Sequence, residues 1–153
     1  MKYNAHIHSF YILKMRYLGI LLTTVIGFVL STDICKSRAP AGHVNGCSVP
    51  SFLPHPFIRV FTPSCDKHDV CYDCAVRHGI NRKQCDESFH REMNTACSER
   101  RKRFLFNSLR DEACRLSAQL YFDAVRLAGA THFLHYSPEY CEEQWVKQCL
   151  PSV

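Results

Sequence analysis

The sequence predicts a small, disulfide-rich, all-α protein, and two observations carry this prediction. Apolar residues recur at three- and four-residue steps in the second half of the chain, and no stretch competes with the two-residue alternation of a β-strand. Ten cysteines follow an apolar leader, in a chain of 153 residues that is long enough for one domain. An even number of cysteines in that setting is typical of a disulfide framework in a secreted protein.

The leader is predicted to be a signal peptide over residues 1–31. Leu18–Leu30 is an uncharged apolar run that follows Lys14 and Arg16, as in a basic n-region and an apolar h-region. Met15 is a possible true start, since it would begin a more compact signal. A single-pass anchor is the alternative interpretation, but the run is shorter than the roughly 20 residues that span a bilayer.

The net charge of +5 does not indicate a basic folded protein. Three of the 19 basic residues lie in the leader, and four more form the run at residues 100–103. Without those two segments, 12 basic residues stand against 14 acidic ones. The chain therefore lacks the electrostatic footprint of a nucleic-acid-binding protein, and no nucleic-acid partner is predicted.

The basic run Arg100-Arg101-Lys102-Arg103 predicts a second processing site. It fits the R-x-K-R pattern that subtilisin-like proprotein convertases cleave after secretion. Cleavage would give a large chain, residues 32–99, and a small chain, residues 104–153, held together by disulfides. The alternative is a solvated basic turn in a helical protein.

Three helices are predicted after a long ordered loop at residues 39–63, which holds five prolines and two glycines. The first helix starts near Pro63-Ser64 and runs to about His78, where Gly79 ends it. The second runs from about Arg82 to Cys97, and the third from Leu109 to Gly129. A short helix is predicted at Glu142–Cys149.

Apolar faces are predicted on these elements from their spacing. The second helix has Phe89, Met93 and Cys97 on one face. The third has the clearest face, made of Leu109, Ala113, Leu116, Leu120, Ala124 and Leu127. Between loop and helix an apolar stretch is expected to lie mostly in the core and partly at a lipid-contacting collar; its members are Phe52, Leu53, Phe57, Ile58, Val60 and Phe61.

The segment SCDKHDVCYDC places His68 beside Asp69 on the first predicted helix. Neighbouring helical residues point about 100° apart, so one side chain can face a packed helix while the other faces the proline-stiffened loop. A carboxylate beside a loop rich in backbone carbonyls suits Ca²⁺, which prefers hard oxygen ligands. Surface polarity is the ordinary explanation of a lone His-Asp pair, and a metal site at Cys71-x-x-Cys74 with His68 is another.

A general base also needs a partner that fixes its tautomer. Asp86 is the best-placed carboxylate if the first two helices pack antiparallel, and Tyr72 lies one turn after His68 with a hydroxyl that can reach Asp86. This arrangement predicts a hydrolase in which His68 activates water and calcium stabilises the oxyanion, without an enzyme nucleophile.

SCDKHDVCYDC resembles the C-C-x-x-H-D-x-C-Y helix of secreted phospholipases A2, with Ser64 in place of the first cysteine. The Y-G-C-x-C-G-x-G-G calcium loop of the pancreatic and snake-venom type is absent. The chain is more similar to the bacterial and fungal secreted enzymes, through Asn45-Gly46-Cys47 and Cys85-Asp86-Glu87-Ser88-Phe89. It most resembles the two-chain cone-snail conodipines, through NGCSVPSFLPHPFIRVFTPSCDKHDVCY and the internal RRKR.

The resemblance implies a role for each matching residue. His68 is the base, Asp86 its orienting partner and Tyr72 a supporting hydroxyl. Calcium ligands are implied at Asp69, the Asn45 side chain and the Gly46 carbonyl. Because the family more often has Asp at the position of Asn45, a high calcium requirement is expected. Bridges Cys47–Cys65 and Cys97–Cys114 are also implied, and Cys74–Cys85 is a further plausible pair.

The implied function is a secreted, extracellular venom phospholipase A2. It would hydrolyse the sn-2 ester of glycerophospholipids at a membrane surface, with Ca²⁺ as cofactor. The alternatives are a non-catalytic toxin that binds a channel or receptor on the same scaffold, and a hormone-like two-chain peptide. The hormone interpretation leaves the H-D-x-C-Y motif unexplained.

Overall fold

The computed structural model describes residues 33–48, 55–103 and 108–152. These segments form four α-helices: α1 (Ile34–Arg38), α2 (Ile58–Cys74), α3 (Arg82–Arg103) and α4 (Ser108–Ala128). Short 3₁₀ turns follow α2 and α4 and make up most of the C-terminal tail. These segments contain no β-strand, and all ten cysteines are paired, which confirms the all-α, disulfide-rich prediction.

Helix α2 begins at Ile58, five residues before the predicted start at Pro63. The early start buries Phe57 and Phe61, which lie one turn apart and are 7% and 0% exposed. Burial of two phenylalanines contributes about 1.5–3 kcal/mol each, enough to offset the ~3 kcal/mol cost of an interior proline. The last part of the predicted 39–63 loop is therefore helix, and α1 was not predicted. As predicted, Gly79 ends the segment, with φ at 66°.

Helix α3 begins at Arg82 as predicted, but it continues six residues beyond Cys97 and includes the basic run. It packs antiparallel to α2. Residues near the end of α2 contact the start of α3, and residues earlier in α2 contact positions further along α3. The Cys71–Cys85 bridge and the Lys67–Glu92 ion pair show this progression. The apolar face at Phe89, Met93 and Cys97 is buried, as predicted.

Helix α4 has close to the predicted bounds, but its predicted apolar face is not the face that is buried. Four leucines of the predicted apolar face are exposed, and together we call them the leucine face. They are Leu109 (79%), Leu116 (62%), Leu120 (69%) and Leu127 (86%). The helix instead packs Cys114 and Ala118 against α2 and α3, with Tyr121 and Val125 beside them. The Cys97–Cys114 bridge fixes that orientation and is as predicted.

The predicted Cys74–Cys85 bridge is wrong. On α2, Cys71 faces α3 and pairs with Cys85, whereas Cys74 lies in a separate apolar cluster with Val70 and pairs with Cys141. Side chains three residues apart point about 60° away from each other and lie about 4.5 Å apart along the helix axis. The two cysteines therefore contact different neighbours.

The C-terminal tail folds back over α1 and α2. Two 3₁₀ turns, Glu139–Glu142 and Gln144–Gln148, replace the single short helix predicted at Glu142–Cys149. Trp145 and Val146 are buried in the tail cluster, and the Cys35–Cys149 bridge ties the tail to α1. Across the described residues, every helix falls short of the length and apolar character that a membrane span needs.

Candidate active site

The antiparallel packing of α2 and α3 brings His68 against Asp86. Nε2 of His68 lies 2.9 Å from Oδ1 of Asp86, and the two residues are 7% and 0% exposed. An ionised carboxylate only accepts hydrogen bonds, so the Nε2 atom carries the proton of this pair. The lone pair of Nδ1 is then left to accept a proton from another molecule, which is what a general base requires.

Tyr72 joins the same carboxylate. Its hydroxyl donates to Oδ1 of Asp86 over 2.6 Å, and its ring lies 4.1 Å from the His68 ring between centroids. Burial raises the pKa of Tyr72, and the hydrogen bond to Asp86 raises it further. Tyr72 therefore stays protonated at neutral pH and acts as a hydrogen-bond donor.

Two arginines complete the shell around Asp86, and neither was predicted from the sequence. Nη1 of Arg126 donates to Oδ2 over 2.7 Å, and Nη1 of Arg82 lies 3.6 Å from the same oxygen. Burial alone would raise the pKa of Asp86, but hydrogen bonds from His68, Tyr72 and Arg126 hold it below its ordinary value. The carboxylate is thus kept ionised.

Arg126 lies on α4, 40 residues away from Asp86 along the chain, so no local motif signals the contact. Gly129, where α4 ends, also approaches the site closely. A Cβ atom there would lie 2.5 Å from the hydroxyl oxygen of Tyr72. The glycine predicted only as a helix terminator therefore also gives Tyr72 the room it needs.

A shallow groove opens beside His68. Phe89 stacks near the imidazole at 4.6 Å between ring centroids, and Ser64 and Ser88 line the wall. Lys67 and Glu92 pair across the rim at 3.3 Å. The imidazole is thus enclosed by an aromatic ring but remains reachable from solvent.

Asp69, which points about 100° away from His68 around α2, contacts the loop. The backbone N–H of Asn45 donates to Oδ2 of Asp69 over 3.1 Å, and the Asn45 side-chain oxygen accepts from Ser48 over 2.9 Å. Gly46 has φ at 78°, a left-handed conformation that favours glycine. The predicted Cys47–Cys65 bridge holds this loop against α2. All three predicted calcium-binding residues therefore lie side by side.

Burial and neighbouring acids disfavour the charged form of Asp69. Burial raises the pKa of Asp69 to about 7; the Asn45 amide opposes this shift, while Asp66 and Asp73 reinforce it. Among the described residues, no three His, Cys, Asp or Glu side chains form a metal-binding group. A calcium ion here would need backbone carbonyls as well as carboxylates, and such oxygen ligands are what calcium accepts.

A second His–Asp–Tyr group lies at the base of the loop and was not predicted. Oδ2 of Asp73 is 2.7 Å from Nδ1 of His43 and accepts a 2.6 Å hydrogen bond from the Tyr140 hydroxyl. Burial and the bond to Asp73 raise the pKa of Tyr140. This group ties the start of the loop to α2 and to the tail, and so helps to position Asn45.

Comparisons with known proteins agree with this geometry. Residues 31–148 match the family model of the group XII secretory phospholipase A2 precursor. Conodipine-P2 of Conus purpurascens is 49% identical over 57 residues, covering 37% of this chain and 31% of that relative. The conodipine-M alpha chain of Conus magus is 35% identical over 68 residues, covering 44% of this chain and 80% of that relative.

A mouse protein, the group XIIB secretory phospholipase A2-like protein, is 30% identical over 109 residues, covering 69% of this chain and 54% of that relative. The match thus spans about a third of the length of conodipine-P2 and about half of the mouse protein. No solved structure matches this chain significantly.

Proposed function

Because the chain belongs to the group XII secretory phospholipase A2 family, we propose that it is a secreted, calcium-dependent phospholipase A2 of venom. Its substrates are glycerophospholipids, which it hydrolyses at the sn-2 ester to a lysophospholipid and a free fatty acid. The observation that carries this proposal is the buried His68–Asp86 pair, in which Nε2 faces the carboxylate and Nδ1 stays available as the base; His68 also lines a shallow groove.

The reaction follows from that pair. Nδ1 of His68 takes a proton from a water molecule as the water oxygen attacks the sn-2 carbonyl carbon. Asp86 stabilises the imidazolium that forms, and Tyr72 and Arg126 keep that carboxylate ionised and oriented. The proton then passes from His68 to the departing glycerol oxygen, and the ester C–O bond breaks.

The calcium site of this proposal consists of the Asp69 carboxylate, the Asn45 side chain and the Gly46 carbonyl. At this site calcium would supply Lewis-acid chemistry, namely polarisation of the ester carbonyl and stabilisation of the negative charge on its oxygen. The Asn45 side-chain oxygen already accepts a hydrogen bond from Ser48, and it brings no charge. A high calcium requirement is therefore expected.

The test is fatty-acid release from phosphatidylcholine vesicles over a calcium titration, with the wild type beside Asp69→Asn. We expect release that rises with calcium and disappears in EGTA, and a variant that stays near the EGTA level. Fatty-acid release that does not change with the calcium concentration would refute the calcium dependence. No release at any calcium concentration would favour the non-catalytic toxin that binds a channel or receptor.

Cleavage after Arg103, as proposed from the basic run, would leave two chains joined by disulfides. The proposed cut after Arg103 separates a large chain, residues 32–99, from a small chain, residues 104–153. Three bridges, Cys35–Cys149, Cys74–Cys141 and Cys97–Cys114, would then join the two chains. Intact-mass analysis before and after reduction tests both this cut and the removal of residues 1–31.

The leucine face supports contact with the phospholipid surface on which the substrate lies. Its members are 62–86% exposed and recur on one side of α4 over 18 residues, about 27 Å of helix. A second copy is a poorer occupant. On an ideal helix Glu112 and Asp123 flank the same edge of this face, so antiparallel pairing would bring Glu112 of one copy beside Asp123 of the other.

A further inference from the structure

Asp66 is a buried carboxylate that the protein leaves incompletely partnered. The residue is 2% exposed, and its Oδ1 atom has no hydrogen-bond partner. A buried carboxylate without full pairing is costly, so a group that is retained in this state points to a missing positive partner. Neither the proposed reaction nor the proposed calcium ligands use Asp66.

The unpartnered oxygen lies beside the loop of the proposed cation site. Oδ1 of Asp66 is 3.9 Å from the position that a Cβ atom on Gly46 would occupy. Asp66 also precedes Asp69 by three residues on α2, which places both carboxylates on one side of the helix. The Asn45 backbone N–H donates to Asp69, and the Gly46 backbone hydrogen-bonds to Asp66. The loop thus contacts both acids.

The protein's own charges do not neutralise this cluster. Lys36 is the cation that acts on both Asp66 and Asp69, and its Nζ donates to the Val44 carbonyl. Asp33 adds a third carboxylate, and its Oδ2 atom is also buried without a partner. Among the described residues, Lys36 is thus the basic side chain that acts on both Asp66 and Asp69, while Asp33 adds negative charge beside Asp66.

We propose that Asp66 supplies the second negative charge of the divalent-cation site, beside Asp69, in a loop where Asn45 is neutral. This inference rests on the proposed calcium site, in which Asp69 alone would leave a divalent ion half compensated. The number of charged ligands sets the affinity of oxygen-lined calcium sites, so Asp66 raises the affinity for calcium.

The test is the Asp66→Asn variant, which removes the charge, keeps the shape of the side chain, and replaces one carboxylate oxygen with an NH2 donor. Calcium binding is measured by isothermal titration, and thermal unfolding is measured in EGTA and in calcium. We expect the calcium Kd to rise about tenfold or more. The Tm in EGTA should stay equal or rise, because an uncompensated buried charge is gone. The matched control is Asp123→Asn, an exposed aspartate on α4 that should leave both readouts unchanged.

Two further variants test whether the charge of Asp66 is what sets the calcium affinity. Asn45→Asp added to Asp66→Asn should restore much of the calcium affinity, and Asp66→Ser replaces the first variant if that one fails to fold. An unchanged Kd, or a Tm that falls in EGTA, would overturn the proposal and leave Asp66 with a structural role. A wild type that binds no calcium would instead refute the calcium site itself.

Discussion

Two polar groups lie on neighbouring faces of α2, and they differ in how completely their hydrogen bonds and charges are satisfied. Around Asp86, both carboxylate oxygens have partners, from His68, Tyr72 and Arg126. On the loop side, Asp66 has an orphaned oxygen, and burial raises the pKa of Asp69 to about 7. The base and its partner are therefore preorganised by the fold, whereas the proposed calcium site on the loop side would need the cation itself to compensate its carboxylates.

Among the variants that leave His68 itself and the proposed calcium ligands in place, the largest effect on turnover is expected from Asp86→Asn, which breaks the fully hydrogen-bonded group. An amide cannot stabilise the imidazolium, and it can present its own N–H to Nε2 and so favour the wrong tautomer of His68. We expect turnover on phosphatidylcholine vesicles to fall by about 10²-fold, the lower end of what a positioned general base contributes. The calcium Kd should not change, and a weakened Kd would contradict the independence of the two groups. Asp123→Asn is the matched control.

The same variant makes a prediction about acid unfolding. The pKa of Asp86 is lower in the folded protein than the ordinary 3.8, so its stabilising contribution is present above that value and is lost as pH falls through the folded pKa. Asp86→Asn should therefore be less stable at neutral pH and should lose less stability below pH 4. Urea unfolding at several pH values measures this slope, and parallel curves would contradict the prediction.

A smaller effect is expected at the contact of Gly129 with Tyr72. Gly129→Ala places a methyl group 2.5 Å from the Tyr72 hydroxyl oxygen, and overpacking of this kind costs about 1–3 kcal/mol of unfolding free energy. Tyr72→Phe removes that hydroxyl, so the double variant should lose less than the sum of the two single losses. Additive losses in urea unfolding would show that the contact is not what requires glycine.

The smallest effect on stability is expected on the leucine face. Replacing Leu116 and Leu120 with Ser should change the unfolding free energy by no more than about 0.5 kcal/mol per site, because both side chains are exposed. Vesicle binding and turnover on vesicles should fall several-fold, while turnover on a monomeric short-chain phospholipid should persist. Unchanged vesicle binding in a flotation assay would contradict the proposed lipid contact.

The sequence allowed the helix bounds of α4 to be predicted, but not its buried face. Periodicity reports which face is apolar, and here the four leucines gave a stronger signal than Cys114 and Ala118, the residues that the Cys97–Cys114 bridge turns inward. The start of α2 was missed for a related reason. Pro63 is a strong local signal, and only the packed protein shows the burial of Phe57 and Phe61 that overrides it.

Within the candidate site, the residues on one motif were predictable and those brought in by tertiary packing were not. His68, Tyr72 and Asp86 could be related through helical spacing and one assumption about antiparallel packing. Arg126 reaches Asp86 from α4, and Tyr140 reaches Asp73 from the tail, at separations of 40 and 67 residues. Asp66 stood in the motif itself, but its significance depends on burial, which spacing does not reveal.

The difference between the two sides of α2 is tested most directly by measuring calcium binding and turnover together in His68→Gln and Asp69→Asn. We predict that His68→Gln binds calcium with wild-type affinity and loses turnover by about 10²–10⁴-fold, whereas Asp69→Asn loses both calcium affinity and turnover. His132→Gln, at an exposed histidine, serves as the control. Wild-type turnover in His68→Gln would contradict the account.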